Sequence, residues 1–177
     1  MTARRDPEGR RRAIVAAAVR AIAEVGVGNV THRRIAAVAG VPLGSTTYYF
    51  PTLDDLVTAA LREATEAARA GLEAWAEELT VSQDLPATFA DLAGRYVADR
   101  DQALLEYEVY LAAARTPELR PVAQLWIDGL RGICARFAGP DRGFALAALV
   151  DGALLQALVT GQPMDEVALR AGVTALL

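Results

Sequence analysis

The chain has 177 residues, of which 53% are hydrophobic, with a formal net charge of −4 and a pI of about 5.1. A chain of this length and composition can bury a core, which excludes a disordered protein. Its only cysteine, Cys134, excludes an intramolecular disulfide, and its only histidine, His32, excludes a zinc site built from clustered cysteines and histidines.

The sequence predicts an all-α protein. Alanine and leucine are abundant, whereas alternating runs of β-branched and aromatic residues are hard to find. Arg20 and Glu24 interrupt the apolar positions near the N-terminus, and no uninterrupted apolar stretch of about eighteen uncharged residues occurs. We therefore expect a cytoplasmic protein with neither a signal peptide nor a membrane span.

The positive charge is concentrated at the start of the chain. Residues 1–50 hold eight arginines against three acids, a charge of +5, whereas residues 51–177 hold ten arginines against nineteen acids, a charge of −9. Every cation is an arginine, which stays charged and can bind phosphate with two hydrogen bonds. The early arginines, among them Arg4 and Arg5, form either a solvated tail or a surface for a polyanion.

The first three predicted helices form a helix-turn-helix. Apolar residues recur at helical spacing from Glu8 to Val25, and Thr31 can cap a second helix that ends near Ala39. Gly40 permits a left-handed turn, and a third helix follows through Tyr49. Two short helices around a tight glycine turn are typical of DNA-binding domains.

A long fourth helix should begin after Pro51, capped by Thr52, and carry apolar residues as far as Leu79. Prolines and glycines then delimit five more helices over residues 86–99, 101–115, 118–138, 141–160 and 164–176. We divide the chain into a DNA-binding domain, residues 1–52, and a ligand-binding and dimerisation domain, residues 53–177.

The third helix has the composition of a recognition helix. A helix that enters the major groove needs small or polar outward residues, and its neighbours should hold phosphates. The predicted DNA-contacting residues are Thr31, His32, Arg33, Arg34, Gly44, Ser45, Thr46, Thr47, Tyr48 and Tyr49. His32 is interpreted as a DNA-side or capping residue. The alternative for the aromatic residues is a small hydrophobic core, which we prefer for Phe50.

This segment resembles the tetracycline-repressor-like (TetR) family of transcriptional regulators. The resemblance is carried by Thr31, Ile35, Ala36, Ala39, Gly40, Val41, Gly44, Ser45, Tyr48, Phe50, Pro51 and Leu56. It covers residues 8–60 closely and the remainder mainly in length and helical layout. Three positions depart from the family pattern: Leu43 and Leu53 replace frequent basic residues, and Thr47 replaces a frequent aromatic residue. The predicted DNA contacts therefore depend more on Arg33, Arg34, the hydroxyl groups and the N-terminal arginines.

The resemblance implies nine helices, a ligand cavity among the middle ones and a dimeric four-helix bundle made by the last two. Independently, residues 143–161 are apolar nearly all round, as in a helix that packs on its own protomer and on a partner. The predicted dimer-interface residues are Leu146, Leu149, Val150, Leu154 and Leu158. The alternative is an ordinary buried helix.

Aromatic residues in the second domain predict a small-molecule site, because such sites combine apolar and aromatic walls with a few polar groups. The candidates are Trp75, Tyr96, Tyr107, Tyr110 and Trp126. The alternative is that these rings form plain core. Cys134 is interpreted as a small core residue.

These observations predict a homodimeric, ligand-responsive transcriptional regulator, a repressor that a small-molecule effector releases from a palindromic double-stranded DNA operator. We expect no catalytic residue, cofactor or metal, because no nucleophile constellation or phosphate loop is visible. The alternatives are a non-specific architectural DNA-binding protein and, less well supported, an enzyme on a helical scaffold.

Overall fold

The computed structural model describes residues 6–177, which form nine α-helices and no β-strand. The helices are α1 (Pro7–Val25), α2 (His32–Ala39), α3 (Leu43–Tyr49), α4 (Leu53–Val81), α5 (Leu85–Ala98), α6 (Arg100–Ala112), α7 (Arg120–Ala138), α8 (Pro140–Thr160) and α9 (Glu166–Leu176). Short 3₁₀ turns occupy Val27–Asn29 and Pro117–Leu119. The all-α prediction is confirmed. Arg4 and Arg5 of the predicted basic arm lie outside the described residues.

Helix boundaries follow the local capping chemistry. Asp6 and Thr31 accept hydrogen bonds from Gly9 N and Arg34 N and cap α1 and α2. Thr52 and Asp55 form a reciprocal capping box before α4, in which Asp55 N donates to Thr52 Oγ1 at 3.1 Å and Thr52 Oγ1 donates to Asp55 Oδ2 at 2.7 Å. The predicted starts of α2 and α4 are therefore confirmed.

The described chain packs as two compact units. The first comprises residues 6–67 with Glu108–Ala123, and the second comprises Ala68–Tyr107 with Gln124–Leu177. The division falls inside α4, α6 and α7, and not at the predicted boundary between residues 52 and 53. The reason is that α4 is one continuous helix whose first turns bury Leu56, Val57 and Ala60 in the first unit.

The first unit holds the helix-turn-helix. Helix α1 packs on α2, and α2 packs on α3. Ile14, Ile22 and Ile35 are fully buried, and Phe50 is buried with the guanidinium of Arg11 5.0 Å from the centre of its ring. The core interpretation of Phe50 is thus confirmed, and its ring holds the end of α3 to the domain.

The second unit is built around α5, α8 and α9, which pack on one another. Its cross-links include ion pairs from Arg95 of α5 to Glu78 of α4 and from Arg170 of α9 to Asp84, the residue that caps α5. Cys134 is fully buried, and this burial raises the pKa of its thiol to about 12. Its interpretation as a small core residue is confirmed.

Helices α7 and α8 approach closely at a glycine. A Cβ on Gly143 would lie 2.7 to 2.8 Å from Cα, N and Cβ of Ala135, a distance that atoms cannot occupy without backbone movement. By contrast, nothing lies within 4 Å of the Cβ position of Gly132, on the exposed side of α7. Gly143 therefore sets the spacing of the two helices.

Helix α8 corrects the predicted dimer-interface residues. Leu146, Val150, Leu154 and Leu158 are buried inside their own protomer, and Leu149 is half-buried against α9, where Gly172 accommodates it. The residues that α8 leaves exposed are Pro140, Asp141, Arg142, Phe144, Ala145, Ala148, Gln156, Val159 and Thr160, of which Phe144, Ala145, Ala148 and Val159 are apolar side chains beyond the first turn. A helix that is apolar all round conceals which side faces its own core, and that is why four of the five predicted residues lie in the core of their own protomer.

By length and composition alone, α8 could also cross a membrane. Buried core helices pass the same test. In this chain α8 packs on α5 and α9 and buries Leu146, Leu154 and Leu158, as a core helix does.

Candidate DNA-binding face and effector site

The turn between α2 and α3 depends on Gly40. This residue adopts the left-handed conformation, with φ of 64°, and its N–H donates to Ala37 O. The next N–H, that of Val41, donates to Ala36 O at 3.0 Å, so the last carbonyls of α2 are satisfied within the turn. The turn fixes the direction of α3 relative to α2, as a recognition helix requires.

Most predicted DNA-contacting side chains are accessible. Thr31, Arg33, Gly44, Thr47 and Tyr48 are exposed, and Tyr48 retains 79% of its accessible surface. Ser45 and Tyr49 are half-buried, and the Tyr49 ring packs edge-on against Tyr48 at 5.0 Å between ring centres. An exposed tyrosine of this size has a phenol and a ring free to contact a partner.

Thr46 does not face outward, so its predicted base contact is wrong. Its side chain is fully buried, with 0% exposure, and its hydroxyl donates to Leu43 O at 2.8 Å. A threonine can turn its methyl group to the core while its hydroxyl bonds back to the preceding turn. The outward face of α3 is therefore formed by Leu43, Gly44, Thr47 and Tyr48.

Two residues of α2 are also more enclosed than predicted. Both ring nitrogens of His32 are shielded from solvent and lack a hydrogen-bond partner in the described part of the chain. The His32 side chain is half-buried, with its ring nitrogens turned away from solvent. Arg34 pairs with Glu24 at 3.0 Å and is half-buried, whereas Arg33 is exposed. Arg33 is the better placed of the two arginines for a phosphate.

In the second unit, four of the five predicted ligand residues come together. The Tyr96 ring stacks on Trp126 with 5.8 Å between centres, and meets Trp75 and Tyr107 edge-on at 6.4 and 6.5 Å. Trp75 and Tyr107 are buried, and Tyr96 and Trp126 are half-buried. We call these four residues the aromatic cluster. Tyr110 belongs to the first unit.

Two carboxylates border the aromatic cluster. Tyr96 Oη donates to Glu106 Oε2 at 2.8 Å, and Gln102 Nε2 donates to the other oxygen of Glu106 at 2.7 Å. Tyr107 Oη lies 2.7 Å from Asp151 Oδ1 and donates to it. The interpretation of these rings as a purely apolar core is therefore incomplete, because two acids are held against them.

Asp151 was absent from the predicted site residues. It lies on α8, 44 positions from its partner Tyr107, and no local pattern indicates such a pairing. The available clue was its position as the lone charge near the centre of an apolar helix, since a charge that is partly buried needs a partner.

A separate open groove runs between α4 and α7 within the second unit. It encloses about 320 Å³ and is lined by Arg69, Leu72, Glu73, Ala76, Leu125, Asp128, Gly129 and Ile133. No member of the aromatic cluster lines it. The groove therefore marks a surface feature distinct from the cluster.

The sequence matches two family models in succession. Residues 14–60 match the bacterial regulatory proteins of the tetR family, and residues 82–177 match the tetracyclin repressor-like C-terminal domain. The chain belongs to the TetR family. The first match covers the helix-turn-helix, and the second covers α5 to α9, including most of the aromatic cluster.

TetR-family relatives match over nearly the whole chain. The HTH-type transcriptional regulator BetI of Escherichia coli O157:H7 is 28% identical over 170 residues, covering 89% of this chain and 86% of BetI. The structure of SCO1917, a TetR-family member from Streptomyces coelicolor A3, is 44% identical, with coverage of 95% and 98% and a TM-score of 0.74.

Another solved relative is the multidrug binding protein EbrR. Its complex with imidazole is 44% identical to this chain, with coverage of 95% and 94% and a TM-score of 0.71. Further EbrR structures contain proflavin, malachite green or ethidium. Together with the TetR family membership, these relatives identify a ligand-responsive, DNA-binding transcriptional regulator.

Proposed function

We propose that this chain is a homodimeric repressor that leaves a palindromic operator when a small aromatic cation binds at the aromatic cluster. The observation that carries the proposal is the pairing, in one chain, of an exposed recognition helix with an aromatic cluster bordered by two acids. EbrR supports the ligand class, because proflavin, malachite green and ethidium are aromatic cations in neutral water. The protein acts in the cytoplasm, where its operator lies.

Dimerisation would use the apolar surface that one protomer leaves uncovered. On α8 this surface comprises Phe144, Ala145, Ala148 and Val159, and on α9 it comprises Val167, Ala168, Ala171 and Ala175. A contiguous apolar face of two neighbouring helices is typical of a self-complementary interface around a two-fold axis. Such a dimer presents two recognition helices to successive major grooves, about 34 Å apart.

Release from DNA would be a shift between two populations of the dimer. A ligand that binds the DNA-free form more tightly lowers operator affinity, and operator DNA lowers ligand affinity by the same factor. No chemical step is needed, and we propose that the protein is not an enzyme. We therefore expect the ligand to be recovered unchanged after prolonged incubation with the protein.

The function is tested by selecting bound fragments from a random DNA pool. We expect a palindrome with half-sites about one helical turn apart. Malachite green should then release a labelled operator, as measured by fluorescence anisotropy, and Trp126→Ala should require at least about tenfold more dye because it removes a wall of the site. Equal recovery of all sequences would instead indicate architectural binding.

The same assay separates phosphate contacts from base contacts. Arg33→Ala should weaken binding to operator and random DNA alike and lower the salt slope by about one for each protomer, because a phosphate contact carries no sequence information. Thr47→Ala should cost about 1 kcal/mol at the operator only. Arg142→Ala, which removes the same charge from the second unit, is the control. Identical behaviour of the first two variants on both DNAs would contradict the assignment.

A further inference from the structure

Tyr96 occupies the centre of the aromatic cluster. Its ring lies 5.8 Å from Trp126 at an interplanar angle of 30°, and meets Trp75 at 85° and Tyr107 at 68°. One stacked neighbour and two edge-on neighbours are the arrangement that aromatic groups favour. A flat ring therefore already fills the position in which an aromatic ligand would find its best contacts.

The two acids beside this ring carry charge that nothing in the described chain neutralises. Glu106 accepts hydrogen bonds from Tyr96 and Gln102, and Asp151 accepts one from Tyr107. Neither acid forms an ion pair with any arginine among residues 6–177. Both side chains are half-buried, and partial burial of a carboxylate without a counter-charge is unfavourable. A bound cation would remove this cost.

The hydroxyl of Tyr96 faces the same charges. Burial, followed by the negative charges of Glu106 and Asp151, raises the pKa of Tyr96 well above its ordinary value. The phenol therefore stays protonated at physiological pH and acts as a donor to Glu106. When the phenol moves away, the Glu106 oxygen loses this hydrogen-bond donor and needs another donor or a cation in its place.

We propose that Tyr96 is an internal occupant of the effector site, which a flat aromatic cation displaces. The ligand ring takes the place of the Tyr96 ring beside Trp126, and its positive charge replaces the phenol as the partner of Glu106, with Asp151 nearby. The inference rests on the proposed function. It adds Tyr96 as the residue that lowers ligand affinity and whose displacement from Glu106 favours cationic ligands. Tyr96 is half-buried, so its side chain has an accessible side toward which it can turn.

This arrangement selects for charge. A neutral aromatic compound can replace the ring contacts of Tyr96 but leaves Glu106 without the donor it had, whereas a cation compensates that carboxylate. Tyr96 also lowers the affinity for every ligand, because each must first break the contacts that the ring makes. Substitution of Tyr96 should therefore change the affinity for every ligand, whereas substitution of Glu106 should change the preference for cationic over neutral ligands.

The test uses the full-length protein without DNA and follows ligand binding by fluorescence titration. Proflavin is the cationic probe, and acridine, a neutral ring of the same shape at slightly alkaline pH, is the neutral probe. Tyr96→Ala should bind proflavin about tenfold more tightly than the native chain, since ring contacts and one hydrogen bond no longer compete. Tyr96→Phe, which keeps the ring and loses only the hydrogen bond, should bind it about threefold more tightly.

The charge preference is tested by Glu106→Gln. This variant should bind proflavin about tenfold more weakly and acridine no more weakly than the native chain, because only the cation uses the carboxylate and a neutral ring leaves it without a donor. Glu77→Gln, the same substitution at an exposed position of α4, is the matched control and should change neither affinity.

Two outcomes would overturn the inference while leaving the proposed function intact. If the native chain releases its operator with dye but Tyr96→Ala binds proflavin more weakly, Tyr96 is a wall of the site and not its occupant. If Tyr96→Ala fails to fold, an unchanged proflavin affinity in Tyr96→Phe has the same meaning. Absence of binding and of operator release with every dye would contradict the proposed function itself.

Discussion

Replacing Leu154 with glutamate should unfold the protomer. The Leu154 side chain is fully buried in α8, so the substitution places a charge in an apolar core where it has no partner. We expect a loss of more than about 4 kcal/mol in the free energy of unfolding, which most domains of this size cannot sustain. Urea denaturation followed by circular dichroism measures the loss.

The same substitution on the exposed side of the helix should behave differently. Ala148 lies on α8 six positions before Leu154 and is exposed in the protomer. Ala148→Glu should leave the protomer folded and shift the proposed dimer toward monomer in sedimentation experiments, because it would place like charges across the proposed two-fold interface. A dimer unaffected by Ala148→Glu would place the interface elsewhere, and a folded Leu154→Glu chain would contradict the packing of α8.

Replacing Gly143 with alanine should destabilise the second unit by about 1 to 3 kcal/mol. The added methyl group would lie against the backbone of Ala135, so α7 and α8 must move apart at this point. Thermal unfolding of the purified protein measures the effect as a lower midpoint.

Gly132→Ala is the matched control at an exposed position of α7. Its methyl group would meet nothing within 4 Å, and alanine is a better helix former than glycine. This variant should gain about 0.5 to 1 kcal/mol. Equal changes in the two variants would show that helix propensity, and not the close approach at Gly143, determines the result.

Helix positions could be predicted because their ends depend on neighbouring residues. Thr31, Gly40 and Thr52 act within three or four residues of their own position, and the structure confirms each of them as a helix boundary. The predicted helix over 101–115 ended three residues too late, because the chain turns at Ala113–Arg115 before the 3₁₀ turn at Pro117. Even this error is local.

Burial and side-chain pairing were harder to predict. The burial of Thr46 depends on which side of α3 meets the domain, and a short helix of small polar residues has no apolar stripe to indicate that side. Similarly, the pairing of Tyr107 with Asp151 joins α6 to α8, and only the fold brings them within 2.7 Å. The aromatic composition of the proposed effector site was visible in the sequence, but its acids were not all recognised.

The burial of Cys134 makes the native chain an effectively thiol-free background for labelling. With the pKa of its thiol near 12, almost none of the nucleophilic thiolate is present at neutral pH, and the buried sulfur is inaccessible to a reagent. A cysteine introduced at an exposed position, such as Thr58 on α4, would therefore react alone. Paired spin labels at that position would report the distance between the two DNA-binding units of a dimer, with and without effector, in the otherwise unaltered sequence.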